Sequence, residues 1–288
     1  MTDRESRACG RASVARRGRW FTAAAVLLLC CVPCAAQVTL DSVPGGLTEI
    51  PLGPLDRPRP SAYFGEKRIL VMPFAKQWVG LVGLPLTLVP GDFVIQAHLE
   101  KGGDAITRQF TVYPRRLGKQ TVVAVPASPL DNPEIPFKWR DALDAKLPLQ
   151  APVAVPAEPL FGRYRQVSGA QSSYVSFVSF HIRSDVSVKA PGDGRVAAVK
   201  VHGPGAYVWI DHGMSLYSCV GPVLRPPLHE GDAVKAGQSI GRVVVETADK
   251  PSTIFWAVYL NGAAVDPFLV SSMEKARLST PGNGTGPG

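Results

Sequence analysis

Short apolar runs separated by turn-forming residues extend from residue 188 to residue 270. The runs are rich in valine, isoleucine and aromatic residues, while glycine, proline, aspartate and asparagine stand between them. This pattern predicts an antiparallel sheet with tight hairpins, because no segment of the stretch keeps a helical period over enough residues. The predicted strands are Arg195–Val201, Tyr207–Ile210, Ser239–Val245 and Ile254–Leu260.

A similar alternation of strand-like runs and turns occupies residues 40–127. Phe93, Ile95 and Ala97 occupy every second position, which is the pattern of a strand with one buried face. Several short strands at this spacing predict a β-sandwich, and the whole chain is therefore predicted to be all-β. The clearest strands of this half are Arg68–Met72, Trp78–Leu84, Phe93–Leu99, Ile106–Val112 and Thr121–Val125.

Eight prolines fall between residues 126 and 160, a density that opposes both helix and sheet. We interpret this stretch as a semi-rigid linker, in which Trp139–Lys146 has room for two helical turns. The last stretch, residues 274–288, is small and polar and is predicted to be disordered.

The first 36 residues have the three parts of a secretory signal. Arg4 to Arg19 form a basic start, Phe21–Val32 is apolar, and the segment ends in small residues at Ala35 and Ala36. Because the apolar run is shorter than the ~20 residues of a membrane span, we expect cleavage near Ala36 and a periplasmic or secreted protein. An uncleaved membrane anchor is the alternative.

The charge and the cysteine count change when this leader is set apart. Its six arginines against Asp3 and Glu5 hold four of the eight net positive charges, so the remaining chain has a net charge near +4. That balance suits an anionic envelope polymer, but no cluster of lysine and arginine with interleaved aromatics indicates nucleic acid. Cys219 is the one cysteine after residue 36, so the mature chain cannot form an internal disulfide.

Four motifs follow one another between residues 188 and 270. They are AP-x-x-G-x-V from Ala190, V-x-IDHG ending at Gly213, EGD-x-V-x-x-GQ-x-IG from Glu230 and W-x-V-x-LNG-x-x-VDP from Trp256. In this order, over roughly residues 161–270, they resemble the LytM/lysostaphin-type zinc endopeptidases, which cut peptidoglycan cross-bridges. Lipoyl and biotinyl carrier or adaptor domains share only parts of the first and third motifs.

A further motif, W-x-x-L-V-G-L-P-L-x-x-x-P-G, extends from Trp78 to Gly91. It resembles the Ig-like domain that precedes the peptidase domain in many exported proteins of this type. Together with the leader, linker and tail described above, the resemblance divides the chain into a signal peptide (1–36), an Ig-like β-sandwich (37–125), a proline-rich linker (126–160), a LytM-type antiparallel β domain (161–273) and a tail (274–288).

The resemblance implies a catalytic zinc with three protein ligands, taken from an H-x-x-x-D pair and an H-x-H pair, and two further histidines that assist. Counting from the neighbouring motifs places these five positions on Val175, Ser179, Pro222, Thr253 and Phe255. Phenylalanine cannot ligate a metal, and a hydroxyl is a poor zinc ligand. Together with Phe177 and Trp256, these residues are expected to line a former-site cleft without a catalytic residue or a cofactor.

One alternative pair keeps the H-x-x-x-D spacing, namely His181 and Asp185, if a short deletion precedes Val188. On an extended segment both side chains would face the same way, and zinc would then be the cofactor. Arg183 replaces the glycine of the family between them, however, and no third ligand is evident. Cys219 lies in an apolar strand and is interpreted as buried packing rather than as a nucleophile.

The sequence therefore predicts an exported, catalytically inactive LytM-type homologue that acts as a peptidoglycan-associated or hydrolase-regulating binding protein. The former-site cleft would bind peptidoglycan or a cell-wall hydrolase, or its residues only repack a defunct cleft. Two alternatives stay open: an active zinc endopeptidase that cleaves peptidoglycan cross-links through His181 and Asp185, and a lipoyl-type adaptor of an export complex. No nucleic-acid partner is expected, and no stable membrane span after signal cleavage.

Overall fold

The structure, a computed structural model, describes residues 42–98, 105–115, 128–130, 133, 137–140, 145–165, 173–224, 226–245 and 249–278. The predicted signal peptide at 1–36, the predicted strand Thr121–Val125 and residues 279–288 of the predicted tail lie outside this part of the chain. Trp139–Lys146 is described only at its two ends, which are not helical. No helix in the described part is both long and apolar enough to cross a membrane.

Residues 42–115 form two antiparallel sheets, which we call the first lobe. Its strands are β1 (Leu47–Pro54), β2 (Ser61–Phe64), β3 (Lys67–Arg68), β4 (Leu70–Phe74), β5 (Gln77–Gly83), β6 (Gly91–His98) and β7 (Ile106–Val112). One sheet has the order β1-β5-β4 and the other the order β3-β2-β6-β7. Ile50, Ile69, Val82 and Ile95 come from both sheets and share one buried core, so the predicted sandwich is confirmed.

Residues 157–278 form the second lobe. Its elements are β8 (Ala157–Glu158), β9 (Tyr164–Arg165), β10 (Ser173–Tyr174), β11 (Val178–Ile182), β12 (Val186–Lys189), β13 (Gly194–His202), β14 (Gly205–Gly213), β15 (Leu216–Val223), β16 (Ala233–Val234), β17 (Ser239–Val243), β18 (Ser252–Leu260), β19 (Ala263–Val265) and α1 (Pro267–Leu278). The main sheet has the order β16-β13-β14-β15-β18-β11-β8, and β19 pairs with β18. Strands β12 and β17 form a separate two-stranded ribbon. The all-β prediction is therefore confirmed.

Both faces of the main sheet are buried, because successive residues of a strand point to opposite sides. On β18, Trp256 and Val258 pack into one core, whereas Ala257 and Tyr259 pack into another. We call these two sides the Trp256 face and the Tyr259 face. The core of the Trp256 face includes Val188 and Ile240 of the β12–β17 ribbon.

The two lobes share the core on the Trp256 face. Leu47, Leu70 and Leu81 of the first lobe belong to the same buried cluster as Trp256 and Leu260. At this junction β5 comes so close to β18 that a Cβ on Gly83 would lie 2.7 Å from the carbonyl oxygen of Leu260. A larger residue at position 83 would therefore push the lobes apart.

Helix α1 was not predicted, and it includes residues 274–278 of the tail that was predicted to be disordered. For those five residues the prediction is wrong. The carboxylate of Asp266 accepts a hydrogen bond from the backbone amide of Phe268 at 3.0 Å, and Pro267 takes the first helical position. An aspartate cap followed by proline starts a helix, because the cap satisfies a free amide and proline has none to satisfy. The VDP motif thus ends the sheet and begins the helix.

Candidate functional site

The positions of the implied zinc site meet on the Tyr259 face, where β8, β11 and β18 lie side by side. The antiparallel register sets Ser179 opposite Phe255 and His181 opposite Thr253. Gly221 of β15 lies opposite Phe255 on the other side, and the half-buried Pro222 follows it. Ser179 and Phe255, which the resemblance places at two zinc-ligand positions, are thus direct cross-strand neighbours.

Apolar packing fills the space that an ion would need. The rings of Phe177 and Phe255 are in contact, with centroids 4.8 Å apart. Val175, Phe177 and Ser179 are buried to 1% exposure or less, and Phe255 is half-buried. Close packing of this kind leaves no voids between neighbouring side chains. This part of the predicted cleft is therefore packed interior.

Residues of the predicted linker cover the same face. Leu130 and Leu160 are buried in one cluster with Phe177 and Tyr259. The backbone oxygen of Leu130 accepts a hydrogen bond from Tyr259 Oη at 2.8 Å and another from Ser176 Oγ at 3.1 Å. The described linker residues are therefore part of the core of the second lobe.

A buried carboxylate holds a second covering stretch in place. Arg140 Nε lies 2.7 Å from Asp211 Oδ2, and Asp211 is only 1% exposed. Tyr217 Oη accepts a hydrogen bond from the backbone amide of Lys138 and has two acceptors for its own hydrogen, Lys138 O at 3.0 Å and Asp211 Oδ2 at 3.1 Å. Burial, and after it the charge of Asp211, raises the pKa of Tyr217 to about 12, so the phenol keeps its hydrogen.

Trp256 does not belong to this surface, and placing it in the cleft is wrong. It lies between Phe255 and Ala257 on β18, so its side chain points to the opposite face of the sheet. There it is fully buried, in the core that also contains Val178 and Val220.

A polar group stays exposed beside Phe255. Glu158 Oε2 accepts hydrogen bonds from Ser179 Oγ and from His181 Nε2, both at 3.1 Å, and Thr253 Oγ1 lies 3.3 Å from His181 Nδ1. An ionised carboxylate only accepts, so His181 carries hydrogen on Nε2, and in the neutral ring Nδ1 accepts from Thr253. His181 and Glu158 are 52% and 43% exposed. We call Glu158, His181, Thr253 and Phe255 the remnant patch.

The alternative zinc pair is not brought together with a third ligand. His181 is bonded to Glu158, while Asp185 Oδ1 accepts a hydrogen bond from the backbone amide of Val245 at 2.9 Å. Within the described ranges, no three histidine, cysteine, aspartate or glutamate side chains form a group that could hold a metal ion. A catalytic zinc needs three protein ligands. The side chains present here do not fit one.

Glu158 was not predicted as a site residue, whereas Cys219 was interpreted as buried packing. Glu158 escaped sequence analysis because it lies between Pro156 and Pro159 in the presumed linker, and only the pairing of β8 with β11 brings it here. Cys219 is fully buried, and burial raises the pKa of its thiol well above the ordinary value. A protonated, inaccessible thiol is a poor nucleophile, in keeping with the packing interpretation.

The comparisons with known proteins agree with this architecture. The profile of "Peptidase family M23" matches residues 176–267, and the profile of "Peptidase family M23 N-terminal domain" matches residues 41–113; together they cover more than half of the 288 residues. A search of curated proteins gives no match.

Solved structures with the same fold include a peptidase M23 protein from Pseudomonas aeruginosa. It is 24% identical, with a TM-score of 0.60, over 81% of this chain and 96% of that protein. Lysostaphin from Staphylococcus simulans is 21% identical over 50% of this chain and 61% of its own, with a TM-score of 0.35. A zinc-containing peptidase from Vibrio cholerae is 16% identical over 60% of this chain and 48% of its own, also with a TM-score of 0.35. At this identity the first comparison shows the fold alone.

Proposed function

Because the chain belongs to peptidase family M23, we propose that it is a member without peptidase activity that acts as a binding protein of the cell envelope. The observation that supports this is the side-chain chemistry at the five implied catalytic positions, together with the packing at Val175, Ser179 and Phe255. Their side chains are apolar or hydroxyl-bearing, and the two phenyl rings of Phe177 and Phe255 meet where ligands would converge. A peptidase fold without metal-ligating side chains is suited to binding a partner.

We propose that the partner is peptidoglycan or a cell-wall hydrolase, met outside the cytoplasm after removal of residues 1–36. The leader pattern supports export, and the excess of basic residues in the rest of the chain suits an anionic envelope polymer. The proposed contact surface is the remnant patch. It combines a half-buried aromatic ring, a residue type enriched at interfaces, with a carboxylate, an imidazole and a hydroxyl of the kind found at an interface rim.

Zinc content and cleavage test the loss of catalysis. The protein is purified without chelators, dialysed against micromolar zinc and assayed for metal and for cleavage of purified peptidoglycan. The expected result is far less than one zinc per chain and no cleavage, because no three ligands converge in the described residues. Near-stoichiometric zinc and chelator-sensitive cleavage, both lost in His181→Ala, would instead establish the endopeptidase alternative.

Binding to purified peptidoglycan sacculi and to purified wall hydrolases tests the recognition role. We expect His181→Ala to weaken the binding about fivefold, the effect of removing one significant contact at an interface. His229→Ala is the matched control, since His229 is also exposed and lies 3.7 Å from a carboxylate, that of Asp232. Equal binding by the wild type and both variants would remove the remnant patch from the proposal.

A further inference from the structure

A groove of about 400 Å³ lies over the β12–β17 ribbon and shares no residue with the remnant patch. Ser187 of β12 and Asp185, just before it, line one side, and Ser239 and Arg242 of β17 line the other. Pro227, Val186 and Val243 add apolar surface. A small number of polar groups against apolar walls is the usual composition of a small-ligand site.

The two charged groups of this groove are available to a ligand. Arg242 is exposed, and its guanidinium makes no hydrogen bond or ion pair in the part of the chain that the structure describes. Asp185 uses Oδ1 to accept the amide of Val245 at 2.9 Å. That bond orients the carboxylate and leaves its second oxygen to accept from a ligand.

The strand register sets the backbone offset between Asp185 and Arg242. Ser187 lies directly opposite Arg242, and Asp185 precedes Ser187 by two residues. Two residues of extended chain span about 7 Å, so the backbone of Asp185 is offset by about 7 Å along the groove from the Ser187–Arg242 pair. The backbone of an extended dipeptide covers about the same distance, at roughly 3.3–3.6 Å per residue.

Hydroxyl groups stand beside the charged positions. Ser187 Oγ and Ser239 Oγ are 2.8 Å apart and share one hydrogen bond. Each oxygen keeps capacity to accept from a peptide amide after that bond is made. Lys189 lies opposite Ser239 but does not line the groove.

We propose that this groove binds a short peptide that presents a free carboxylate and a free ammonium about 7 Å apart. Arg242 holds the carboxylate, Asp185 holds the ammonium, and the serine hydroxyls contact the amide between them. A free dipeptide has this chemistry, and so does a wall stem peptide whose diamino acid carries a free amine near a terminal carboxylate. The wall source rests on the proposed function; the site does not.

The test is a titration of the full protein with alanyl-alanine, followed by the backbone amide signals of Ser187, Gly241 and Arg242 in NMR spectra. A ligand of this size in an open groove is expected to bind with a dissociation constant on the order of a millimolar. N-acetyl-alanyl-alanine lacks the ammonium and alanyl-alaninamide lacks the carboxylate. Each should bind about fivefold more weakly, the upper range for an exposed ion pair.

Variants assign each end of the ligand to its partner. Arg242→Gln should weaken the binding of alanyl-alanine about fivefold and leave the binding of alanyl-alaninamide unchanged. Asp185→Asn should also weaken the binding of alanyl-alanine about fivefold, but leave the binding of N-acetyl-alanyl-alanine unchanged. Asparagine at position 185 can still accept the amide of Val245, so the loop is preserved. Arg183→Gln is the control, because Arg183 is exposed nearby but does not line the groove.

No saturable shift up to tens of millimolar ligand would overturn the proposal, and so would equal binding of all three ligands or an equal effect of Arg183→Gln. Binding to sacculi distinguishes the two sources of the peptide, the wall stem peptide and free oligopeptides. Weaker binding of sacculi by Arg242→Gln assigns the wall stem peptide, while unchanged binding with a weakened dipeptide assigns free oligopeptides. Failure of the recognition role would be seen with His181→Ala and would leave the dipeptide result intact.

Discussion

Single residues of the IDHG tetrapeptide are held in the interior by hydrogen bonds. His212 is fully buried, its Nδ1 lies 2.7 Å from the backbone oxygen of Asp193, and its Nε2 lies 2.7 Å from Ser218 Oγ. A carbonyl can only accept, so Nδ1 carries the hydrogen and Nε2 accepts from Ser218 in the neutral ring. Burial lowers the pKa of His212, against the opposing effects of Asp193 and Asp211. The motif is structural at this residue.

His212 is expected to make stability depend on pH. Its folded pKa lies below the ordinary value near 6.5, so the unfolded chain takes up the proton first as pH falls. The contribution of neutral His212 to the free energy of unfolding is complete above pH ~6.5. It is lost as pH falls from there towards the folded pKa, and the loss at pH 5 is at most about 2 kcal/mol. Urea unfolding at several pH values measures the loss.

His212→Asn is expected to flatten this pH dependence, because asparagine keeps a donor for Asp193 O and does not titrate. His229→Asn, at a position where the side chain is 91% exposed, should leave the dependence unchanged. A direct NMR titration of the ring serves if the asparagine variant does not fold. A His212 ring that becomes protonated at its ordinary pKa would contradict the prediction.

At the scale of the elements, strand alternation decides which side chains of β18 face the covering residues and which face the core shared by the lobes. On β18, odd-numbered residues face the covering residues Leu130 and Leu160, and even-numbered residues face the core shared by the lobes. In the part of the covering stretch that the structure describes, Tyr217 contacts both Lys138 and Asp211. Removing this anchor should loosen the stretch more than it destabilises the sheet.

Tyr217→Phe is expected to speed tryptic cleavage after Lys138 about five- to tenfold. The phenol makes hydrogen bonds that hold Lys138, and losing one or two of them costs about 1–1.5 kcal/mol of local opening free energy. Mass spectrometry of timed digests identifies the bond that is cut. Tyr174→Phe is the control, since among the described residues the Tyr174 hydroxyl makes no hydrogen bond and its ring contacts Tyr164. Equal rates for the wild type and both variants would show that the stretch does not depend on Tyr217.

The whole molecule is joined by contacts between two family motifs. Asn261 of the LNG sequence accepts the amide of Gly83 at 2.7 Å and donates to the carbonyl of Gly83 at 3.0 Å. Asn261 is buried and has a φ of 44°, which asparagine tolerates better than most residues. Because this pair lies beside a core common to both lobes, we expect the lobes to unfold together.

Asn261→Ala is expected to reduce the free energy of unfolding by about 2–4 kcal/mol, since two buried backbone groups of Gly83 lose their partners. Hydrogen exchange should accelerate together in β5 of the first lobe and β14 of the second. Asn261→Gly tolerates the positive φ and should be less destabilising by about 1 kcal/mol, which separates strain from lost hydrogen bonds. Acceleration confined to β18 and β19 would contradict the coupling of the lobes.

Some features of the site could be predicted because their causes are local. The positions that the resemblance implies, Val175, Ser179, Pro222, Thr253 and Phe255, come from counting along the chain, and the structure sets two of them, Ser179 and Phe255, opposite each other. The mistake over Trp256 was also avoidable, since period-two alternation already separates it from Phe255. The helix start at Asp266-Pro267 carried a local signal as well, an aspartate cap followed by proline, but no helix was predicted there.

By itself, the sequence determined the all-β class and the sandwich. Turn residues, two-residue alternation and side-chain chemistry are properties of short segments, and they do not depend on distant partners. Only the tertiary structure decided that residues of the predicted linker cover the positions of the implied zinc site, that Glu158 joins His181 and that Asn261 binds Gly83. These contacts join residues far apart along the chain, so they depend on how sheets and lobes pack, which local patterns do not specify.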